Sequence, residues 1–170
     1  MQTADLVLIS HSPEATEEIG RLLVNVFMPG DVVNLDGDLG AGKTAMTRGI
    51  AAAMDCQGPV ASPTFTLLME HAAGPGGLAL YHFDVYRLRD SADFCDIGLD
   101  EYFDCAGVCV IEWGSLISDV LPPQSLQINL LQVDPEQPDL RKIEISWPGQ
   151  PERLAALAIL FSSYEEGKPC

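Results

Sequence analysis

The chain has 170 residues, 47% of them apolar, with nine Lys plus Arg against 25 Asp plus Glu and a formal net charge of −16. That size fits one globular domain with its own core, while the charge argues against direct nucleic-acid binding, which takes clustered cations where this chain has only three lysines, Lys43, Lys142 and Lys168. Its apolar runs, such as "VCVI" and "LAALAILF", are shorter than the ~18 residues a bilayer span needs, and "MQTADLVLIS" lacks the basic start of an export signal; a soluble, cytoplasmic protein with no membrane partner is expected.

In chain order, "SPEATEEIGRLLVNVFM" predicts an amphipathic helix: Ser12 as N-cap, Pro13 at the first position, acids in the first turn, then Ile19, Leu22, Leu23 and Val26 on one face. Pro29 and Gly30 end it. "DVVNLDG" reads as a short buried strand feeding a glycine-rich loop, and a helix follows from about Lys43 to Met54. "TFTLLMEH" and "LALYHFDVY" are strands of a hairpin around "AAGPGG". "SADFCDIGLDEYFD" holds one or two short helices, "GVCVIEW" is a buried strand, and "SLQINLLQV" with "RKIEISW" alternates like a second antiparallel pair. "PERLAALAILFSSY" fits a last helix. The expected class is α/β, a three-layer fold whose mixed parallel and antiparallel sheet is flanked by helices. The main domain is expected over 1–150, with a C-terminal helix and tail, 151–170, on or trailing it.

The five cysteines, Cys56, Cys95, Cys105, Cys109 and Cys170, make an odd count without an export signal, which predicts reduced thiols. No second Cys or His pair follows Cys105 and Cys109 at finger-like spacing, so they do not read as a zinc site.

The strongest chemical signal is "GDLGAGKTA". Gly37, Gly42, Lys43 and Thr44 fit G-x-x-x-x-G-K-[ST], with Asp38, Leu39, Gly40 and Ala41 between them, which makes the expected three-layer fold P-loop NTPase-like with the P-loop ATPase domain over 1–150. Glycines let successive N–H groups turn onto phosphate oxygens, and the following helix adds its positive end. Lys43 supplies a point charge for the β- and γ-phosphates, and the Thr44 hydroxyl can ligate Mg²⁺. Such a site needs local amides, one lysine and a metal, so it is compatible with an acidic protein. Asp84 and Glu112 each close an apolar strand, where carboxylates that serve a metal or a water are presented; spacing does not decide which does which. "ASPTFT" is hydroxyl-rich and can bring Thr64 or Thr66 toward a γ-phosphate in the manner of a switch segment. No lysine follows an asparagine, so the guanine-reading Asn-Lys-x-Asp element is absent and ATP is favoured. Trp113 either packs near the base or simply fills the core. The histidines His11, His71 and His82 read as structural, and Arg87 and Arg89 suit phosphate contact or ion pairing equally.

In this order, "GDLGAGKT", "SPTFT", "YHFDVYRL" and "VIEW" together resemble the TsaE (YjeE) family, the small bacterial P-loop ATPases of tRNA threonylcarbamoyladenosine synthesis. The resemblance runs from the first helix to about "LPPQSLQINL"; from about Pro151 no motif matches. It implies ATP and Mg²⁺ binding with slow hydrolysis, and association with a two-subunit threonylcarbamoyl transferase, a pair of paralogous ASKHA-fold proteins that itself holds the tRNA. It also implies that Lys43 and Thr44 serve phosphate and metal, that Asp84 is the functional aspartate of the "HFDLYR"-like motif, that Glu112 and Trp113 form the "EW" pair, and that Thr64 and Thr66 lie in the switch-like segment. Ala45 stands where the family often has a hydroxyl, and Phe65 where Tyr is frequent. Two other classes use the same loop: a small-molecule kinase, which usually needs a lid with several arginines, and a nucleotide-dependent assembly module that does not hydrolyse.

Overall fold

The computed structural model describes residues 4–164; Cys170 and the end of the tail lie outside them. Seven strands form one sheet: β1 (Leu6–Ser10), β2 (Val32–Gly37), β3 (Leu68–His71), β4 (Leu80–Asp84), β5 (Val108–Glu112), β6 (Leu126–Gln132) and β7 (Arg141–Ser146), ordered β1-β7-β6-β2-β5-β4-β3. Strands β6, β2, β5 and β4 run parallel to one another, while β7 pairs antiparallel with β6, β1 with β7 and β3 with β4. The mixed sheet flanked by helices is the expected class. The helices are α1 (Pro13–Leu23), α2 (Lys43–Ala53), α3 (Ser91–Asp96) and α4 (Pro151–Leu160), with short 3₁₀ turns at Val24–Val26, Leu99–Asp104 and Gly114–Ile117.

The period-2 alternation of β2, β4 and β5 divides the apolar side chains between two faces. On one, Val33, Leu35, Val108 and Val110 meet Ile19 and Leu23 of α1, Met46 and Ile50 of α2, and Leu157 of α4. On the other, Phe83, Cys109 and Ile111 meet Phe94 of α3, Leu99 and Ile117. Burial pushes the Cys109 thiol up to about 12, so this strand cysteine stays protonated in the core. No cluster of His, Cys, Asp and Glu suited to hold a metal by itself, and no helix long and apolar enough to cross a membrane, occurs among the described residues.

Helices α1 and α2 cross with almost no space between backbones. A Cβ on Gly49 would lie 1.8 Å from the Glu17 carbonyl oxygen, and one on Gly20 would lie 2.3 Å from that of Met46. The two glycines let the α1 and α2 backbones come this close.

One element is added and one expectation corrected. Leu6–Ser10, where the sequence gives no element, is an edge strand paired with β7. The strand expected over "TFTLLMEH" starts only at Leu68, because residues 64–67 form a turn in which Leu67 takes φ +65° and its carbonyl accepts from Asp84 N at 3.0 Å.

Candidate functional site

The parallel strands end in a row. Register pairs Leu35 with Glu112 and Glu112 with Asp84, which places both carboxylates at the carboxyl edge of the sheet, one strand spacing of about 4.8 Å apart in backbone. Beta2 leads directly into the glycine loop at the same edge. Gly37, Gly40 and Gly42 take φ values of +138°, +77° and +106°, so the loop is built on left-handed backbone that other residues resist. A Cβ at Gly37 would also strike the Leu130 carbonyl oxygen at 2.3 Å.

Beneath the loop Lys43 is 4% exposed. Its ammonium donates to the carbonyl oxygens of Gly37 at 2.6 Å and Asp38 at 2.9 Å and lies 3.7 Å from the centre of the Trp113 ring. Burial pulls its pKa below the ordinary lysine value, and the charges of Glu112, Asp84, Asp36 and Asp38 act in the opposite sense.

Glu112 and Asp84 are each 3% exposed and differ in their partners. The Thr44 hydroxyl donates to the Glu112 carboxylate, 3.0 and 3.1 Å from its two oxygens, and His82 Nε2 lies 2.8 Å from Oε1. With the carboxylate as acceptor, the imidazole carries its proton on Nε2, leaving Nδ1 buried without a partner. Asp84 Oδ2 accepts from the hydroxyls of Ser62 and, at 2.9 Å, Thr64, while Oδ1 accepts from Tyr86 N at 3.1 Å.

Trp113 follows Glu112 in left-handed backbone, φ +68°, held by its N–H to the Leu35 carbonyl at 2.9 Å and by Ser115 N donating to Asp36 Oδ1 at 3.1 Å. Its ring packs against Tyr86, centroids 4.9 Å apart.

A cleft of about 440 Å³ gathers these groups: Leu39, Gly40, Ala41, Gly42, Lys43, Thr44, Thr64, Asp84, Glu112 and Trp113 all line it. Asp38 contributes through its carbonyl to Lys43. Thr66 is exposed and is not among the lining residues. Arg87 lies over the Phe65 ring at 4.3 Å, and Arg89 pairs with Asp93 at 2.6 Å. Sequence reasoning missed Ser62, Arg48 and Tyr86, which line the cleft, and Arg141, which bonds the loop from β7. It also read His82 as merely structural. The signal for His82 was its position two residues before Asp84, on the same strand face.

The donor set suits a small hard cation that keeps few protein ligands, since one hydroxyl and a neighbouring carboxylate stand at the start of α2. The loop and Lys43 suit the polyphosphate that would complete its coordination.

A family model described as threonylcarbamoyl adenosine biosynthesis protein TsaE matches residues 10–143. The chain belongs to the TsaE family. Among its curated members, the tRNA threonylcarbamoyladenosine biosynthesis protein TsaE of Bacillus subtilis is 49% identical over 117 residues, covering 69% of this chain and 72% of that protein. The TsaE of Treponema pallidum is 43% identical over 122 residues, covering 72% of this chain and 88% of that protein. The crystal structure of Bacillus subtilis YdiB superposes with a TM-score of 0.74 at 36% identity, covering 95% of this chain and 97% of that one. TsaE membership thus places the chain in tRNA threonylcarbamoyladenosine biosynthesis. The family match ends at residue 143, whereas helix α4 beyond it still contributes Leu157 to the core.

Proposed function

We propose that this TsaE-family chain binds Mg-ATP in the cleft and hydrolyses it slowly. In this reading it is the cytoplasmic nucleotide-driven component that acts on the two-subunit threonylcarbamoyl transferase, whose ASKHA-fold subunits hold the tRNA. The observation that carries the reading is the Thr44 hydroxyl set between the glycine loop and the Glu112 carboxylate. Thr44 and Glu112 would hold the metal, Thr44 directly and Glu112 beside it. When bound, Mg²⁺ supplies charge neutralisation at the β- and γ-phosphate oxygens.

The chain's own groups divide the remaining work. Lys43 turns its ammonium from main-chain carbonyls to phosphate oxygens, a charge-assisted exchange favoured by its partly dry setting. The loop amides and the start of α2 receive the remaining negative charge. His82 keeps Glu112 in one orientation through Nε2. Asp84 gathers Ser62 and Thr64 at the cleft, which positions two hydroxyls near the reacting phosphate. A kinase reading is weakened because Arg89 pairs with Asp93 and Arg87 with Phe65, so neither forms a lid over the cleft.

The test is Mg-ATP turnover by the purified chain, alone and with the two-subunit transferase, beside Glu112→Gln. The expected result is slow turnover that the transferase stimulates, and a Glu112→Gln variant that binds ATP normally but turns over about 100-fold more slowly. Unchanged turnover in that variant would remove Glu112 from the site. Tight ATP binding without stimulation would favour the assembly module, and phosphate transfer to a small acceptor without partners would favour the kinase.

A further inference from the structure

Arg141 is the first residue of β7, and its guanidinium reaches onto the glycine loop. Nε donates to the Ala41 carbonyl at 2.9 Å and Nη2 to the Gly40 carbonyl at 3.1 Å. The third nitrogen, Nη1, also goes to main chain, to the carbonyls of Pro138 and, at 2.9 Å, Leu140. This pattern is unusual for the chain. Arg21, Arg48, Arg89 and Arg153 each pair with a carboxylate and Arg87 lies over the Phe65 ring, whereas among the described residues no ion pair includes Arg141 and all its bonds go to main-chain carbonyls. In a protein of net charge −16, this cation is spent on the carbonyls of a loop.

The consequence follows from peptide geometry. A trans peptide is planar and carries its C=O and N–H on opposite sides. With the Ala41 carbonyl drawn to Arg141, the Gly42 N–H is aimed away from β7. The Gly40 carbonyl is drawn the same way, and the Ala41 N–H on its far side closes a turn to the Asp38 carbonyl at 3.1 Å. Without an external restraint, a stretch with glycines at φ +77° and +106° samples many arrangements. The guanidinium fork selects one in advance, which reduces the ordering cost when an anion binds.

We propose that Arg141 is a positioning residue for polyphosphate binding, presetting the Gly42 amide through the Ala41 carbonyl and the turn before it through the Gly40 carbonyl. The proposal rests on the nucleotide-binding reading above. It also accounts for a role of the antiparallel strand β7 in a site otherwise made by parallel strands.

The test uses the full chain with Arg141→Met and Arg141→Lys, and Lys43→Ala as reference. Dissociation constants are measured by calorimetry for Mg-ATP and for inorganic triphosphate, together with KM, kcat and melting temperature. Arg141→Met is expected to weaken both probes by about tenfold and to raise KM similarly with kcat within about twofold, because bonds worth one charge-assisted contact are lost from ground-state binding. Arg141→Lys is expected to recover little, since an ammonium does not span two carbonyls as a planar fork does. ATP affinity within about twofold of the parent in folded Arg141→Met, with Lys43→Ala weakened, would overturn the proposal alone. Unchanged affinity in both variants would overturn the nucleotide reading with it. Full recovery by lysine would show that charge and not the fork matters, which also overturns positioning. Should Arg141→Met not fold, parental affinity in Arg141→Lys overturns it in the same way.

Discussion

Helices α1 and α2 lie against each other and begin in opposite ways. Alpha1 starts with its own donors provided for: the Ser12 hydroxyl accepts from Ala15 N at 3.1 Å, Pro13 occupies the first turn and Glu14 faces the positive end. Alpha2 starts at Gly42 in left-handed backbone, without a side-chain cap and without an acid in its first turn, and its first residue is a buried lysine. The same chain therefore knows how to finish a helix start and leaves one unfinished. Alpha1 is a support, and α2 is shaped to have its first turn completed by an anion.

Three substitutions test that contrast, beginning at the unfinished end. Lys43→Ala is expected to remove about 3 kcal/mol of transition-state stabilisation, a loss of two orders of magnitude in Mg-ATP turnover by steady-state kinetics, with the fold retained. Gly49→Ala strikes the contact between the helices. Its Cβ would lie 1.8 Å from the Glu17 carbonyl, and the forced separation is expected to cost about 2 to 3 kcal/mol in urea denaturation. Ser12→Ala removes the cap of α1 and is expected to cost about 1 kcal/mol of stability while leaving ATP turnover per folded molecule unchanged. A turnover loss in Ser12→Ala larger than its stability loss would mean that the two helix starts are not separate in function.

The sequence discloses α1 and α2 because their signals are local: a cap, a proline and a 3.6-residue period for one, a glycine loop and a lysine for the other. Asp84 and Glu112 were legible for a similar reason, since each closes an apolar run. What escaped depends on pairing across distance. Leu6–Ser10 becomes a strand only by meeting Arg141–Ser146, at the other end of the chain. Arg141 sits in an alternating strand pattern and gives no sign that its side chain crosses to Gly40 and Ala41. Ser62 sat beside the singled-out Thr64, yet the turn that brings both hydroxyls to Asp84 also leaves Thr66 exposed. His82 shows how a correct local reading can be incomplete: it is buried as a core histidine would be, and its one bond goes to Glu112.

The Trp113 ring has a practical consequence. The chain has two tryptophans, and only Trp113 lines the cleft, with the Lys43 ammonium 3.7 Å from its centre. Trp147 is buried elsewhere, with Arg153 over its ring at 4.0 Å. A cation resting on an indole perturbs its excited state, so any event that draws Lys43 toward another partner changes the emission of one fluorophore against the steady background of the other. The protein thus carries its own optical gauge of where its principal lysine is, readable in a cuvette without a label.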